Sequence, residues 1–305
     1  MVKLSIESEV AEGCGAGPSG NRRPVRENLV NRAGPGKNQG ILGGEDTMVK
    51  PVVRGIVNGL ILVLLKVLFV VDCGALKKIP PQGPAILVSN HTTNFEGPIY
   101  YVLLRARKVT ALGKKELWEN PLTRFLMKVW DIIPLNRGGP DREAFRRARQ
   151  ALDQGAFLGI APEGTRSMSG ELQKGRPGAA MLAVEARVPI IPMVQWGVQD
   201  LFRNIRRFRR TPIHVAVGEP FTIRVPHDRK LSAGELRQVT DEIMYQMALQ
   251  MPEDYRGYYR DLSGMTEDFI LRGSSAEEGP ALPGERQEPH GQGASAEEAE
   301  RPREI

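Results

Sequence analysis

The sequence predicts an α/β fold: a mostly parallel twisted sheet flanked by helices, with an N-terminal membrane-associated helix and disordered ends. Three observations carry this. Six short apolar runs, at 85–88, 109–112, 131–135, 157–161, 189–195 and 213–217, are bounded by glycine, proline and polar residues, as buried strands are. Helical patterns alternate with those runs, which argues for parallel strands joined by crossover helices. Both ends of the chain lack apolar periodicity.

Residues 1–47 are rich in glycine, asparagine and arginine and carry six basic and six acidic side chains. No apolar stretch follows their early charges, so they predict a disordered extension and no secretory signal. Met48-Val-Lys50 repeats the opening Met1-Val-Lys3, which marks Met48 as a candidate start of translation; the mass of the protein from its native host tests this. The segment 48–79 holds the apolar run 56–71, in which thirteen of sixteen residues are apolar, with Lys66 inside it and Arg54 and Asn58 at its start. Such a run falls short of the ~20 residues a membrane crossing needs, and a central lysine costs ~2.5–3.5 kcal/mol in hydrocarbon. The expectation is a helix lying in one leaflet, with Lys66 snorkelling to the headgroups.

Residues 80–262 predict one domain. Within it, Ala144, Phe145, Ala148, Ala151 and Leu152 make an apolar helical stripe, and Arg142, Arg146, Arg147 and Arg149 its solvated side. Residues 235–251 read as a closing amphipathic helix with Leu236, Val239, Ile243, Met247 and Met251 on one side. From 263 to 305 the chain has four basic and ten acidic side chains and predicts a disordered acidic tail. The chain's formal charge of +6 therefore conceals 32 basic against 20 acidic residues in 48–262, a net of +12. That surface suits anionic headgroups or nucleic acid. The stretch 202–210, which interleaves five arginines with apolar residues, reads as a loop touching headgroups, and no nucleic acid is expected. Cys14 and Cys73 are too few for a disulfide framework and agree with a reducing compartment.

Two segments carry chemistry. The run 85–88 empties into Ser89-Asn90-His91-Thr92-Thr93-Asn94-Phe95-Glu96-Gly97-Pro98, which puts His91 beyond the carboxyl end of a strand, where open α/β sheets bind ligands. A neutral imidazole there can take a proton from a hydroxyl if a carboxylate holds its other nitrogen, and Glu96 is the nearest acid. On one helix the two would diverge, so a turn is needed, and Asn94 with Gly97-Pro98 supplies turn chemistry. His214 also has a glutamate five residues on, Glu219, but in an apolar strand such residues face opposite ways, so His214 reads as structural. In the second segment, Pro162-Glu163-Gly164-Thr165-Arg166-Ser167 gathers a glycine turn, a hydroxyl and a guanidinium behind another strand, a grouping suited to phosphate. Between them, Ile132-Ile133-Pro134-Leu135-Asn136-Arg137-Gly138-Gly139 delivers a further arginine. Lys114 and Lys115 are second candidates for the same anion. No metal-ligand spacing appears, and no cofactor is expected.

These blocks, with Val188-Pro189-Ile190-Ile191-Pro192, resemble in order the four blocks of the glycerolipid acyltransferase family, over roughly residues 84–225. The resemblance implies that 80–262 is the catalytic domain. It implies His91 as catalytic base, Glu96 as its orienting acid, and Arg137, Glu163, Gly164, Thr165 and Arg166 as the glycerol-phosphate site. It departs from the family in one place: the first block usually ends in aspartate, and here it ends in Glu96.

The implied reaction is transfer of an acyl chain from an acyl thioester to the free hydroxyl of 1-acylglycerol-3-phosphate. The partners would be that lysophospholipid, a thioester on coenzyme A or acyl carrier protein, and an anionic membrane. The implied location is the cytoplasmic face of the cell membrane, peripheral or monotopic. Two alternatives use the same residues: hydrolysis of a lipid ester or thioester through His91, and a membrane-binding protein with an inactive pair. The chain lacks a Gly-x-Ser-x-Gly elbow, so a serine route has no support.

Overall fold

The computed structural model describes residues 49–137, 139, 141–226 and 229–273. The expectations for 1–47, Met48, Cys14 and the chain beyond 273 lie outside these. All six predicted strands form, in one seven-stranded sheet of order β1-β7-β6-β2-β5-β3-β4. In chain order these are β1 (Phe69–Asp72), β2 (Ala85–Val88), β3 (Val109–Lys114), β4 (Ile133–Leu135), β5 (Phe157–Ile160), β6 (Ile190–Trp196) and β7 (Thr211–Val217). Every neighbouring pair is parallel except β6 with β7.

Helices α1 (Val49–Leu68), α2 (Glu96–Leu103) and α3 (Pro121–Val129) come from the first half of the chain. The second half supplies α4 (Arg142–Asp153), α5 (Gly178–Ala186), α6 (Leu201–Ile205) and α7 (Ala233–Ala248). Their starts are written locally. Asn120 caps α3 ahead of Pro121, Asp141 accepts from Ala144 N at the start of α4, and Ser232 with Glu235 forms a capping box on α7.

The sheet is covered on both faces, which is why its central strands are continuously apolar. Ile86 and Val88 of β2 join a core with Ala148 and Leu152 of α4, Ala179 and Ala183 of α5, and Val239, Ile243 and Met247 of α7. Ala85 and Leu87 turn the other way, toward Leu65 of α1 and Ile99, Val102 and Leu103 of α2. The predicted stripes of α4 and α7 therefore supply the inner wall of one layer.

Three expectations need correction. The apolar run 56–71 is not one helix: α1 starts at Val49 and ends at Leu68, and Phe69-Val70-Val71-Asp72 becomes β1, pairing with Thr211–His214. Val70 and Val71 are β-branched residues beside an open sheet edge, and pairing there satisfies their backbone better than another helical turn. The acidic tail does not begin at 263. Strand β9 (Ile270–Leu271) pairs with β8 (Thr222–Ile223), and the buried Glu242 carboxylate accepts from Asp268 N at 3.0 Å and Phe269 N at 3.0 Å. Cys73 is disulfide-bonded, whereas the cysteine count agreed with a reducing compartment.

Helix α1 is docked along its length. Lys50 and Arg54 pair with Asp131, the Asn58 side chain accepts from Trp130 Nε1 at 2.9 Å, and Leu65 is buried. Lys66 sits in its last turn, where the helix dipole favours a cation. Val52, Ile56, Leu60, Val63, Leu64 and Val67 recur at helical spacing on its exposed side. By length and composition α1 could cross a membrane, but its inner side is committed to the domain.

Candidate active site

Register assembles the site. Val88 of β2 is level with Ile160 of β5 and Pro192 of β6, so the loops after these strands leave the sheet side by side. Ser89 N donates to Ile160 O at 3.0 Å, and the Asn90 side chain extends the ladder, donating to Gln195 O at 2.8 Å and accepting from Gln195 N at 2.9 Å. His91 then stands at the carboxyl edge of the sheet.

His91 Nδ1 lies 2.9 Å from Glu96 Oε2. The turn that brings them together precedes the acid: Phe95 N donates to Thr93 Oγ1 at 3.0 Å, and Glu96 opens α2. Gly97 and Pro98, expected in that turn, belong to the first turn of the helix, where proline fits. Glu96 is only 3 % exposed, and its other oxygen, Oε1, accepts from Thr92 N, Thr92 Oγ1, Thr93 N and Gln195 Nε2. A buried carboxylate needs such donors. They also fix its orientation, and through it that of the imidazole. His91 Nε2 makes no hydrogen bond among the described residues, so the free nitrogen is the one left for a substrate.

The second segment is bound to the first through the backbone. Ser167 N donates to His91 O at 2.7 Å, and Glu163 accepts from His91 N at 2.9 Å and Gln173 N at 3.1 Å. Glu163 is 1 % exposed. Burial pushes its carboxyl up to about 7, against the backbone donors and His91, which lower it. Its oxygens are thus occupied by main-chain donors behind the histidine. Gly164 takes φ +69°, and a side chain there would come within 2.6 Å of Arg176 Cδ, so only glycine lets Arg176 lie across the turn. The Gly164 amide is spent on Ala161 O. Those of Thr165 and Arg166 have no protein partner among the described residues.

Arg137 follows β4 and is held in the field of Arg166 and Arg176. Its guanidinium is lowered from its usual value first by burial, against the attraction of Glu116, and then by these two arginines. Three guanidinium groups within one another's field, against one carboxylate, are a grouping suited to an anion. Lys114 ends β3, level with Leu135, and sits 3.5 Å from Glu116; Lys115 beside it is exposed. A cavity of about 720 Å³ adjoins this cluster. Arg137, Gly164 and Arg176 stand among its lining residues, with Leu112, Leu135, Phe145, Ile160, Pro162 and Met181.

His214 makes no pair with Glu219: it stacks on Trp196, ring centroids 5.4 Å apart, while Glu219 meets Lys78 at 3.5 Å. Sequence reasoning missed Arg176 and Gln195. Gln195 is a polar residue inside an apolar strand, and Arg176 is an arginine between glycine and proline just before a helix; both signals are visible afterwards. No group of three or more metal-ligating side chains occurs among the described residues.

A family model described as Acyltransferase matches residues 70–196. The chain is 26 % identical over 157 residues to the chloroplastic 1-acyl-sn-glycerol-3-phosphate acyltransferase LPAT1 of Arabidopsis thaliana, covering 47 % of this chain and 44 % of that protein. It is 31 % identical over 144 residues to the human 1-acyl-sn-glycerol-3-phosphate acyltransferase alpha, covering 46 % and 51 %. The chain spans about half the length of these curated relatives. Among solved structures, the 1-acyl-sn-glycerophosphate (LPA) acyltransferase PlsC of Thermotoga maritima matches with 26 % identity and a TM-score of 0.47, over 64 % of this chain and 77 % of that one. The family model and the curated relatives agree with the blocks around His91, Arg137 and Glu163, and over residues 70–196 the chain is similar to acyltransferases.

Proposed function

We propose that the protein acylates 1-acylglycerol-3-phosphate from an acyl thioester, on coenzyme A or acyl carrier protein, to give phosphatidic acid. The observation that carries this is the 2.9 Å contact between His91 Nδ1 and a Glu96 locked by four further donors. That contact leaves Nε2 as the base, and the bond from Ser167 N to His91 O ties the histidine to the segment that carries Arg166.

In this reading Arg137, Arg166 and Arg176 hold the acceptor's phosphate by charge-assisted hydrogen bonds. His91 Nε2 takes the proton of the free hydroxyl as its oxygen attacks the thioester carbonyl carbon. The tetrahedral oxyanion collapses, the carbon–sulfur bond breaks, and the imidazolium returns the proton to the departing thiolate. Base assistance of this kind is worth ~10²–10⁴ in rate. No covalent acyl-enzyme is required. Glu163 acts as a positioning residue, holding the His91 main chain, and Gly164 lets Arg176 approach. An acyl chain fits the apolar part of the cavity beside Arg137 and Arg176. In this reading the enzyme is monotopic and works at the cytoplasmic face, and the exposed apolar side of α1 supports its contact with one leaflet.

The test uses labelled acyl thioester with and without lysophosphatidic acid, on intact protein and on His91→Ala. Label entering phosphatidic acid only when acceptor and His91 are both present supports the proposal. Free fatty acid formed without acceptor points to a hydrolase, and absence of turnover to a binding protein.

A further inference from the structure

The segment 201–210 takes no part in the proposed chemistry, yet it is built in a way that water alone does not favour. Helix α6 ends with Phe208 N donating to Ile205 O at 3.0 Å and Arg209 N to Asn204 O at 3.0 Å. This is the paired closure whose left-handed position is usually glycine. Here that position is Phe208, at φ 51°, a conformation disfavoured for a bulky side chain. Its ring is 100 % exposed and so packs on nothing in the protein. Phe202, 67 % exposed, and Ile205 lie on the same short segment.

Cations surround these apolar groups. Arg203 pairs with Asp200 at 2.9 Å, but Arg206, Arg207 and Arg209 are exposed and have no salt bridge or side-chain hydrogen bond among the described residues. Rings and aliphatic groups projecting between unneutralised guanidinium groups match the boundary of an anionic bilayer, where phosphates meet acyl chains.

Placement agrees. Arg210 donates to the carbonyl of Phe69, and Thr211, which opens β7, is level with Phe69, the residue that follows α1. The segment therefore abuts the end of the apolar stripe of α1, where Val63, Leu64 and Val67 are exposed, with the exposed Val70 of β1 next to them. It also follows β6, whose end carries Gln195 of the site. We infer that residues 201–210 are a second membrane-docking element. They seat Phe202 and Phe208 in an anionic phospholipid surface, continuous with α1, and hold the carboxyl edge of the sheet against the bilayer. This does not depend on the acyltransferase reading.

The test is flotation of the full chain with vesicles of phosphatidylcholine, with or without phosphatidylglycerol, for Phe208→Gly and for the triple variant Arg206→Gln, Arg207→Gln, Arg209→Gln. Glycine suits the left-handed position, so Phe208→Gly is expected to melt at the same or a higher temperature while partitioning less onto vesicles. The triple variant is expected to lose about 100-fold in partitioning onto phosphatidylglycerol vesicles, at ~1 kcal/mol per basic residue, and nothing on phosphatidylcholine alone. The inference is overturned by wild-type partitioning of either variant, or by a lowered melting temperature of Phe208→Gly, which would give the ring a structural role. It is equally overturned if the triple variant loses binding to an oligonucleotide while its vesicle partitioning stays unchanged.

Discussion

The side chain of Glu96 is where orientation is enforced. Its Oε1 is surrounded by four donors, so a glutamine at this position would give them its carbonyl oxygen and turn its amide N–H toward His91 Nδ1. That forces the tautomer whose Nε2 carries the proton and cannot act as a base. Glu96→Gln is therefore expected to lower kcat by ~10²–10⁴ and leave KM for the lysophospholipid nearly unchanged. A rise in KM alone would contradict the orienting role. Arg176 makes the opposite prediction. Lysine keeps the charge but loses the planar fork, so Arg176→Lys should raise KM for the acceptor by ~10-fold or more and spare kcat. Steady-state kinetics with varied lysophospholipid separate the two outcomes.

Among the elements, the two loops at the sheet edge behave as one because Glu163 joins them, and this makes the joint sensitive to pH. The carboxyl has an ordinary value of 4.5 and is pushed up to about 7 by burial in the folded chain. Below 4.5 it is protonated in both states; between 4.5 and 7 the folded chain keeps a proton that the unfolded chain has released. Its contribution to stability is thus fully present below 4.5 and lost as pH rises through 7, a span of about 3 kcal/mol. Glu163→Gln cannot titrate, so its melting temperature should vary less between about pH 5 and pH 7.5 than that of the wild type. An unchanged slope would show that another group sets it. Helix α1 offers a test of docking: Asn58→Ala strands the buried indole N–H of Trp130 and should cost about 1–3 kcal/mol in denaturant unfolding. Leu60→Ser, on the outer side, should leave unfolding unchanged and weaken vesicle binding.

At the scale of the whole molecule, the charge of +12 held by residues 48–262 and the apolar outer side of α1 are the properties that the proposed seat on an anionic surface requires. Much of this was legible in the chain. The six predicted strands announced themselves as short apolar runs, most plainly β2 and β6, which are covered on both faces, and the histidine and Pro-Glu-Gly-Thr-Arg segments were legible because each follows such a run. What was not legible depends on contacts remote in sequence. Strand β1 was hidden inside a run that reads equally well as helix until β7 is beside it. The ordered stretch 263–273 depends on Glu242, some 26 residues earlier, accepting its amides. Gln195 and Arg176 join the site only because register and a glycine turn bring them there, and a linear reading carries neither.

The most direct measurement is a crystal structure of the protein with 1-acylglycerol-3-phosphate bound. The free hydroxyl should lie within hydrogen-bond reach of His91 Nε2 while the phosphate contacts Arg137, Arg166 and Arg176. A phosphate seated away from those arginines, or a hydroxyl turned from the imidazole, would contradict the claim that base and anion site serve one acceptor.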